Sequence, residues 1–315
     1  MLRDKGYFLT DSRYEEQSAR EVKGLEIAIY KAGLGEALAN LFKKRSGMEI
    51  GFDPTTLSYA DAMQLRRSLR GIARVKPIKF SLALLRAKKS KEELEIMKQA
   101  VTLAEKSLIK SLAFMNPEAR EVDLAMDLDM QLRRHGGERQ SFETIVASGS
   151  RGSMTHAQPS QKKLRGATVI DWGILYQGYC TDLTRTISFG RPAPGIKKIY
   201  DVVLRAQEAA IREIRPGVEA RDIDLAARRS IEHAGYGEYF GHSLGHGVGL
   251  EVHERPFIAR TSRDVLEEGM VFTVEPGIYI PGKGGVRIED MVQVTAQGPE
   301  LLSNLTRSLE LEAYI

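Results

Sequence analysis

The chain has 315 residues, with 46 basic and 42 acidic side chains and a formal net charge of +4. Its length and its apolar content of 42% are typical of a globular protein with two domains or one large one, and the weak, mixed charge does not indicate a nucleic-acid-binding surface. The single cysteine, Cys180, excludes an intrachain disulfide and fits a reducing compartment. The sequence has neither an apolar signal core after Met1 nor a run of about 18 apolar residues. We therefore expect a cytoplasmic protein that has neither nucleic acid nor a membrane as a partner.

The first 90 residues alternate between two kinds of periodicity. Alternating apolar residues predict strands near residues 7–9, 25–29, 48–52 and 72–80, and helical spacing predicts helices over 14–22, 34–44 and 59–69. This alternation favours an α/β domain, and the segment carries no chemical motif. A lysine-rich run then marks a boundary, which divides the chain into domains of residues 1–88 and 89–315. Ser90 and Glu93 form a capping box at the start of a long helix that reaches about residue 114.

An internal repeat follows this helix. The sequence Glu-Ala-Arg-Glu-Val-Asp-Leu-Ala at 118–125 recurs as Glu-Ala-Arg-Asp-Ile-Asp-Leu-Ala at 219–226, and a proline precedes each copy, Pro117 and Pro216. Two copies are too few for a solenoid. They predict two helix–helix–sheet halves that are related by a pseudo-twofold axis and meet at a shared sheet, with a ligand pocket between them.

The stretch from 168 to 189 reads as a β-hairpin with Gln177 and Gly178 at its tip. This register places Asp171 opposite Thr184, with Asp182 as a diagonal neighbour of Asp171, about 7–8 Å away. Two carboxylates this close repel each other unless a cation lies between them, so the pair predicts a divalent metal site. The alternative is a pair of solvent-facing aspartates at strand ends. It is weaker because Asp171 follows Val-Ile and precedes the only tryptophan, which indicates a buried strand.

The second half supplies further metal-binding side chains. His242, His246 and His253 lie in a glycine-rich segment, Glu275 ends an apolar strand, and Glu289 lies on an alternating strand over 285–294. Any one of these could be an ordinary structural histidine or half of an ion pair. Taken together, four carboxylates and an imidazole suit Mn²⁺, Co²⁺, Fe²⁺ or Zn²⁺. Four carboxylates exceed the need of one ion, and two ions roughly 3.5–4 Å apart would use them all.

These motifs, in order, resemble the pita-bread metallopeptidase family, which includes Xaa-Pro dipeptidase (prolidase), aminopeptidase P and methionine aminopeptidase. The matching text covers about residues 85–315: His156-Ala-Gln-Pro-Ser, Asp171-Trp-Gly, Asp182-Leu-Thr-Arg-Thr, the segment from His242 through His246 to His253-Glu-Arg-Pro, Glu275-Pro-Gly-Ile-Tyr and Val-Arg287-Ile-Glu289-Asp. The resemblance implies an α+β fold, a curved antiparallel sheet with helices outside, preceded by a creatinase/prolidase-like N-terminal α/β domain. It also implies that the metal ligands are Asp171, Asp182, His246, Glu275 and Glu289.

The resemblance further implies hydrolysis of the bond between an N-terminal residue and proline, by attack of a hydroxide that bridges two ions, with Mn²⁺ or Co²⁺ preferred and Zn²⁺ or Fe²⁺ as further candidates. In this scheme Glu275 is the general base, His253 and His156 donate hydrogen bonds to the oxyanion, and His242 contacts the substrate. Arg287 orients Glu289 or Asp182. Two alternatives remain at this stage: a metal-free C–N hydrolase such as creatinase, and an inactive relative that serves as a binding protein.

The N-terminal domain departs from the family. The segment that starts at Asp11 resembles the middle of the family's N-terminal domain, so its opening strands and helix are expected to be absent. A sheet that lacks its opening strands exposes an unpaired edge, and an exposed edge can pair with another chain. We therefore expect a homodimer. The alternative is a monomer with a more open site that accepts peptides longer than a dipeptide.

Overall fold

The computed structural model describes residues 5–43, 47–78, 82–116 and 118–315. The chain divides into two compact units at residues 82 and 83. The boundary expected from sequence, at residues 88 and 89, stays a prediction. Among the described residues, no helix has the length and apolar character needed to cross a membrane.

The first unit is a small α/β layer. Its strands are β1 (Tyr7–Asp11), β2 (Glu26–Tyr30), β3 (Met48–Phe52) and β4 (Ala73–Pro77), and its helices are α1 (Glu15–Glu21), α2 (Leu34–Phe42) and α3 (Tyr59–Ser68). Strands β1 and β2 pair in parallel, as do β3 and β4. The last residues of the predicted strand over 72–80 and of the predicted helix over 34–44, Phe80 and Lys44, lie outside the described residues.

The second unit contains the remaining elements. Its helices are α4 (Leu82–Ala87, whose first residue belongs to the first unit), α5 (Lys91–Ala113), α6 (Glu121–Arg134), α7 (Ile196–Glu213) and α8 (Ala220–His233). Its strands are β5 (Arg139–Gln140), β6 (Ile145–Ser148), β7 (Gly166–Trp172), β8 (Ile174–Tyr176), β9 (Tyr179–Cys180), β10 (Leu183–Phe189), β11 (Gly245–Gly247), β12 (Glu254–Ile258), β13 (Val271–Val274), β14 (Gly277–Ile280), β15 (Gly284–Arg287), β16 (Asp290–Thr295) and β17 (Gly298–Leu301). The capping box predicted from Ser90 and Glu93 is confirmed at the start of α5.

The two halves of this unit repeat each other, as the internal repeat predicted. Helix α5 packs on α6 and α7 packs on α8, and both α6 and α8 have 14 residues. Their starts lie 99 positions apart, at Glu121 and Ala220, and this offset also superimposes their buried faces. The matching letters of the sequence repeat lie 101 positions apart. Aligning the matching residues therefore shifts the two helices by two positions from the alignment of their buried faces. The buried faces define the structural correspondence, because burial and not residue identity determines which side of a helix packs.

A backbone bridge links the strands of the two halves. The first half provides the sheet β10-β7-β6 and the second provides β12-β11-β13-β16-β17. An isolated bridge joins Thr184 of β10 to Glu289, whose N–H donates to the Thr184 carbonyl oxygen at 3.0 Å. Residues at the facing ends of these strands are therefore brought together at the junction between the halves.

The hairpin prediction was right in its register and wrong in its continuity. Asp171 pairs with Thr184, and the tip lies at Gln177 and Gly178, which have φ angles of 47° and 81°. However, the strands break at Gly173, and β8 and β9 belong to a separate sheet with β5. A Cβ at position 173 would overlap the carbonyl oxygen of Thr181, so the opposite arm of the hairpin approaches Gly173 too closely for a side chain.

The alternating strand predicted over 285–294 is also interrupted. It is divided into β15 and β16, which belong to different sheets, and Ile288 and Glu289 lie between them. The interruption coincides with the bridge from Glu289 to Thr184, so this segment leaves one sheet to meet the other half.

Candidate metal centre

A cavity of about 620 Å³ lies in the second unit at the junction of the halves. All nine site residues predicted from sequence line it: Asp171, Asp182, His246, Glu275, Glu289, His156, His242, His253 and Arg287. They come from positions 156 to 289, so the fold brings together side chains from both halves of the unit.

Three of the predicted ligands form a tight group. Asp182, His246 and Glu289 each offer an atom, and the three atoms lie within 4.8 Å of one another. The Nε2 atom of His246 is 3.5 Å from Asp182 Oδ2 and 3.5 Å from Glu275 Oε1. These distances are too long for good hydrogen bonds and leave space for an ion between the atoms.

The tautomer of His246 is set by the backbone carbonyl of the next residue. Its Nδ1 lies 3.1 Å from the carbonyl oxygen of Gly247, and because a carbonyl only accepts, Nδ1 carries the proton. The lone pair of Nε2 then faces the carboxylates, as in metal-ligating histidines. Burial lowers the pKa of His246 to about 4, so the imidazole is neutral. A neutral imidazole beside carboxylates is suited to bind a cation rather than to form an ion pair.

Few positively charged side chains lie near these carboxylates to balance their charge. Burial, followed by repulsion from the neighbouring acids, raises the pKa of Asp182 and Glu289 well above the ordinary range. Burial also raises the pKa of Glu275 to about 8, and Asp171 adds to the shift. Among the described residues, Asp171 Oδ1 is buried and has no hydrogen-bond partner. An oxygen-rich, imidazole-containing set with unpaired charge fits divalent cations.

Arg287 contacts a different carboxylate from those predicted. Its Nη2 donates to Asp171 Oδ2, and its Nε donates to Thr184 Oγ1 at 3.1 Å, whereas we expected it to orient Glu289 or Asp182. The break between β15 and β16 explains why Arg287 reaches Glu289 through Thr184, because Arg287 and Glu289 do not share a continuous strand face. The hydroxyl of Thr184 donates to Glu289 Oε2 at 2.7 Å and so takes the role expected of Arg287.

Tyr279 is a member of the site that sequence reasoning missed. Its hydroxyl accepts from Arg287 Nη1 at 3.0 Å and lies 3.0 Å from Nε2 of His242. Since Nδ1 of His242 faces the carbonyl oxygen of Ser243 at 2.8 Å, Nε2 accepts the tyrosine proton. Both ring nitrogens of His242 therefore have protein partners. Tyr279 belongs to the Glu275-Pro-Gly-Ile-Tyr motif, of which only the glutamate was predicted to be part of the site.

The other two histidines are more accessible. His156 and His253 are exposed and line the cavity, and the His253 ring lies 4.2 Å from the His246 ring, centroid to centroid. Burial lowers the pKa of His253, with His156 contributing, so this ring is neutral near pH 7. A neutral imidazole at the cavity wall can donate one N–H to a developing negative charge.

The chain was compared with known proteins. The profile of metallopeptidase family M24 matches residues 95–296, and that of the creatinase/prolidase N-terminal domain matches residues 1–88. An Xaa-Pro dipeptidase of Pyrococcus furiosus is 42% identical over 256 residues, which are 81% of this chain and 73% of that protein.

Solved structures agree with these matches. An Xaa-Pro dipeptidase from Bacillus anthracis has a TM-score of 0.91 and 38% identity, with 98% of this chain and 87% of that chain covered. An X-Pro aminopeptidase from Thermotoga maritima MSB8 has a TM-score of 0.87 and 37% identity, with 96% and 86% covered. The chain therefore belongs to metallopeptidase family M24 and has its pita-bread fold, in which two related halves meet at the metal-binding cavity.

Proposed function

We propose that the protein is a metallo-exopeptidase that hydrolyses the bond between an N-terminal residue and proline with two divalent cations. The observation that carries the proposal is the convergence of four carboxylates and one neutral imidazole on one cavity, with too few protein cations to balance them. Relatives that share this fold are named Xaa-Pro dipeptidase and X-Pro aminopeptidase. This charge imbalance disfavours a metal-free creatinase-like hydrolase and an inactive binding protein, because neither needs it.

The residues proposed to hold the two ions are Asp171, Asp182, His246, Glu275 and Glu289. When bound, divalent cations lower the pKa of a shared water and polarise the substrate carbonyl. We favour Mn²⁺ or Co²⁺ because the donor set is rich in carboxylate oxygens, with Zn²⁺ or Fe²⁺ as further candidates.

The remaining chemistry belongs to the protein's own side chains. Glu275 receives a weak hydrogen bond from Thr273 Oγ1 at 3.4 Å, which leaves its carboxylate free to take a proton as general base. His253 and His156, at the exposed wall of the cavity, donate hydrogen bonds to the oxyanion that forms at the scissile carbonyl. His242 lines the same cavity, and we propose that it contacts the substrate near the scissile bond.

Arg287 acts through Asp171. Its guanidinium donates to Asp171 and is held by the Tyr279 hydroxyl, which in turn donates to His242. This chain of contacts fixes one oxygen of Asp171 and leaves Oδ1 available to bind an ion.

The substrate class follows from the cavity lining and the chemistry of proline. The tertiary amide before proline lacks an N–H, so a peptidase that must bind that N–H fails, whereas one that polarises the carbonyl does not need it. Apolar side chains also line the cavity, namely Phe142, Ile145, Val252 and Phe257, and they can pack against a pyrrolidine ring.

A cleavage panel tests the function. Metal-stripped protein is assayed with Xaa-Pro dipeptides, Xaa-Pro-Yaa tripeptides and matched Xaa-Ala-Yaa tripeptides, before and after addition of Mn²⁺ or Co²⁺. We expect activity only after metal addition and only on the proline peptides. Full activity of the stripped protein, or equal cleavage of the alanine peptides, would contradict the proposal. The ratio of dipeptide to tripeptide cleavage decides between the two relatives' named activities.

We also propose that the protein forms a homodimer through its first unit and is cytoplasmic. The first unit supports the dimer because its described strands form two separate parallel pairs, each with unpaired edges. Light scattering at micromolar concentration should give twice the mass of 35.1 kDa. A monomer mass that does not change with concentration rejects the dimer.

A further inference from the structure

A buried polar cluster lies beside the metal ligands, and the proposed reaction does not use it. We call it the Arg185 cluster. It consists of Arg185 on β10, Gln207 on α7 and Asp290 on β16, all fully or almost fully buried, together with Ser303 and Arg307 near the end of the chain. Its members come from both halves of the second unit, so the cluster spans the junction at which the ligands meet.

Arg185 donates hydrogen bonds to both residues of the bridge between the halves. Its Nη1 donates to the carbonyl oxygen of Glu289 at 2.6 Å and to that of Thr184 at 2.9 Å. These are the two residues of the isolated bridge that joins the sheets. Its Nη2 donates to Asp290 Oδ1 at 2.7 Å, which anchors the guanidinium. One side chain therefore fixes the backbone on both sides of the junction.

Gln207 fixes two further ligand segments from the helix behind them. Its Nε2, which carries two hydrogens, lies within hydrogen-bond distance of three acceptors: Asp290 Oδ2 at 2.9 Å and the carbonyl oxygens of Val274 at 3.1 Å and Ile288 at 3.2 Å. Val274 immediately precedes Glu275, and Ile288 immediately precedes Glu289. The side-chain amide thus ties together the backbones that carry two of the proposed ligands.

The donor contacts of Gln207 all point toward the metal centre. Its amide nitrogen contacts the backbone that precedes each of two proposed ligands and the carboxylate of Asp290, which immediately follows one of them. The amide is therefore placed to fix the position of the backbone segments that carry Glu275 and Glu289.

We infer that Arg185, Gln207 and Asp290 are positioning residues for the metal centre. By holding the backbone at Thr184, Val274, Ile288 and Glu289, they set the spacing between ligands of the two halves. A metal site needs its ligands within a few tenths of an ångström of the required distances, so an outer group that fixes ligand backbones changes metal affinity. The inference rests on the proposed metal centre.

The test compares two buried glutamines. Gln207→Met removes the donors to Val274 and Ile288 with little change in volume. Gln131→Met is the matched control, because Gln131 is a buried helical glutamine of the other half whose amide donates within its own helix to Asp127 at 3.5 Å. Each metal-stripped protein is titrated with Mn²⁺ in a calorimeter, and its melting temperature is measured without metal.

We expect Gln207→Met to weaken Mn²⁺ binding about 10- to 100-fold, the range typical of residues that support metal ligands, while Gln131→Met binds as the wild type does. Gln207→Met also removes donors from a buried carboxylate and two carbonyl groups, so its melting temperature without metal should fall below that of Gln131→Met, and the titrations are carried out below both melting temperatures. Unchanged Mn²⁺ affinity in Gln207→Met overturns the inference, and so does equal weakening in both variants. A wild type that binds no Mn²⁺ overturns the metal centre itself, which keeps the two failures distinct.

A milder variant provides a second test of the inference if Gln207→Met does not fold. Arg307→Met removes one donor, the Nε that lies 2.7 Å from Asp290 Oδ2, from a partly exposed side chain. We expect about tenfold weaker Mn²⁺ binding, at the low end of the same range. Wild-type affinity in folded Arg307→Met overturns the inference.

Discussion

Glu289 and Asp290 are neighbours in the chain, yet their carboxylates have opposite environments. Asp290 accepts from Arg185 Nη2 at 2.7 Å, Gln207 Nε2 at 2.9 Å and Arg307 Nε at 2.7 Å, and also from Ser303. Glu289 accepts a hydrogen bond from the hydroxyl of Thr184 and lies near other acidic side chains of the cavity.

The contrast separates a carboxylate whose charge the protein balances from one whose charge it leaves unbalanced. Successive residues of an extended segment point to opposite sides, so Asp290 reaches a guanidinium while Glu289 reaches the cavity. Burial and the acids around it raise the pKa of Glu289, whereas Asp290 has two arginines as partners. A buried acid whose charge the protein already balances needs nothing further, and one whose charge is unbalanced needs a ligand.

Removing the unbalanced carboxylate should have the largest effect. We expect Glu289→Gln or Asp182→Asn to lose Mn²⁺ binding and to reduce kcat/KM by on the order of 10³-fold or more, because a bound cation contributes several kcal/mol to the transition state. Calorimetric titration and a proline-peptide assay measure both quantities. Retained metal with lost activity would show that the residue is not a ligand.

Removing the balanced carboxylate should instead destabilise the fold. Asp290→Asn leaves the fully buried Arg185 without its charged partner, and breaking such a pair costs about 3–5 kcal/mol. Urea unfolding of metal-stripped protein measures the free energy of unfolding. In the same assay Glu289→Gln should be as stable as the wild type or more so, since it removes repulsion. Equal losses in the two variants would remove the distinction between the two carboxylates.

His253 lines the same cavity but is proposed to bind no ion. We expect His253→Ala to keep Mn²⁺ affinity and to lower kcat by roughly 10²–10³-fold, the scale of one oxyanion donor. Steady-state kinetics beside a metal titration test this. If the variant also loses Mn²⁺, His253 belongs among the ligands and its assigned role is wrong.

Metal should relieve the repulsion among the cavity carboxylates. At a free Mn²⁺ concentration of 100 times Kd, binding to the folded state alone should stabilise the wild type by about 2.7 kcal/mol. Thermal melts of stripped protein with and without Mn²⁺ measure the gain, and Glu289→Gln should show little of it. A wild type with no gain would mean that the cavity does not need a cation.

Local features of the structure were accessible from the sequence because they are encoded within a few residues. The capping box of Ser90 and Glu93 lies within one helical turn, and the Asp171–Thr184 register follows from a single turn at Gln177 and Gly178. The nine predicted site residues were identified as charged or imidazole side chains in or beside apolar or glycine-rich segments, together with the resemblance to the metallopeptidase family, and all nine line the cavity.

The partners of these side chains were decided only by the tertiary structure. Arg287 meets Asp171 across 116 positions, and Arg185 meets Asp290 across 105. No local pattern specifies such pairs, because they depend on how two packed halves align at a junction. The break at Glu289 has the same origin, since it lies where the chain forms a bridge to a strand of the other half. The sequence by itself thus determined which charged and imidazole side chains are candidates for the chemistry, while the packing of the halves determined which atoms they contact.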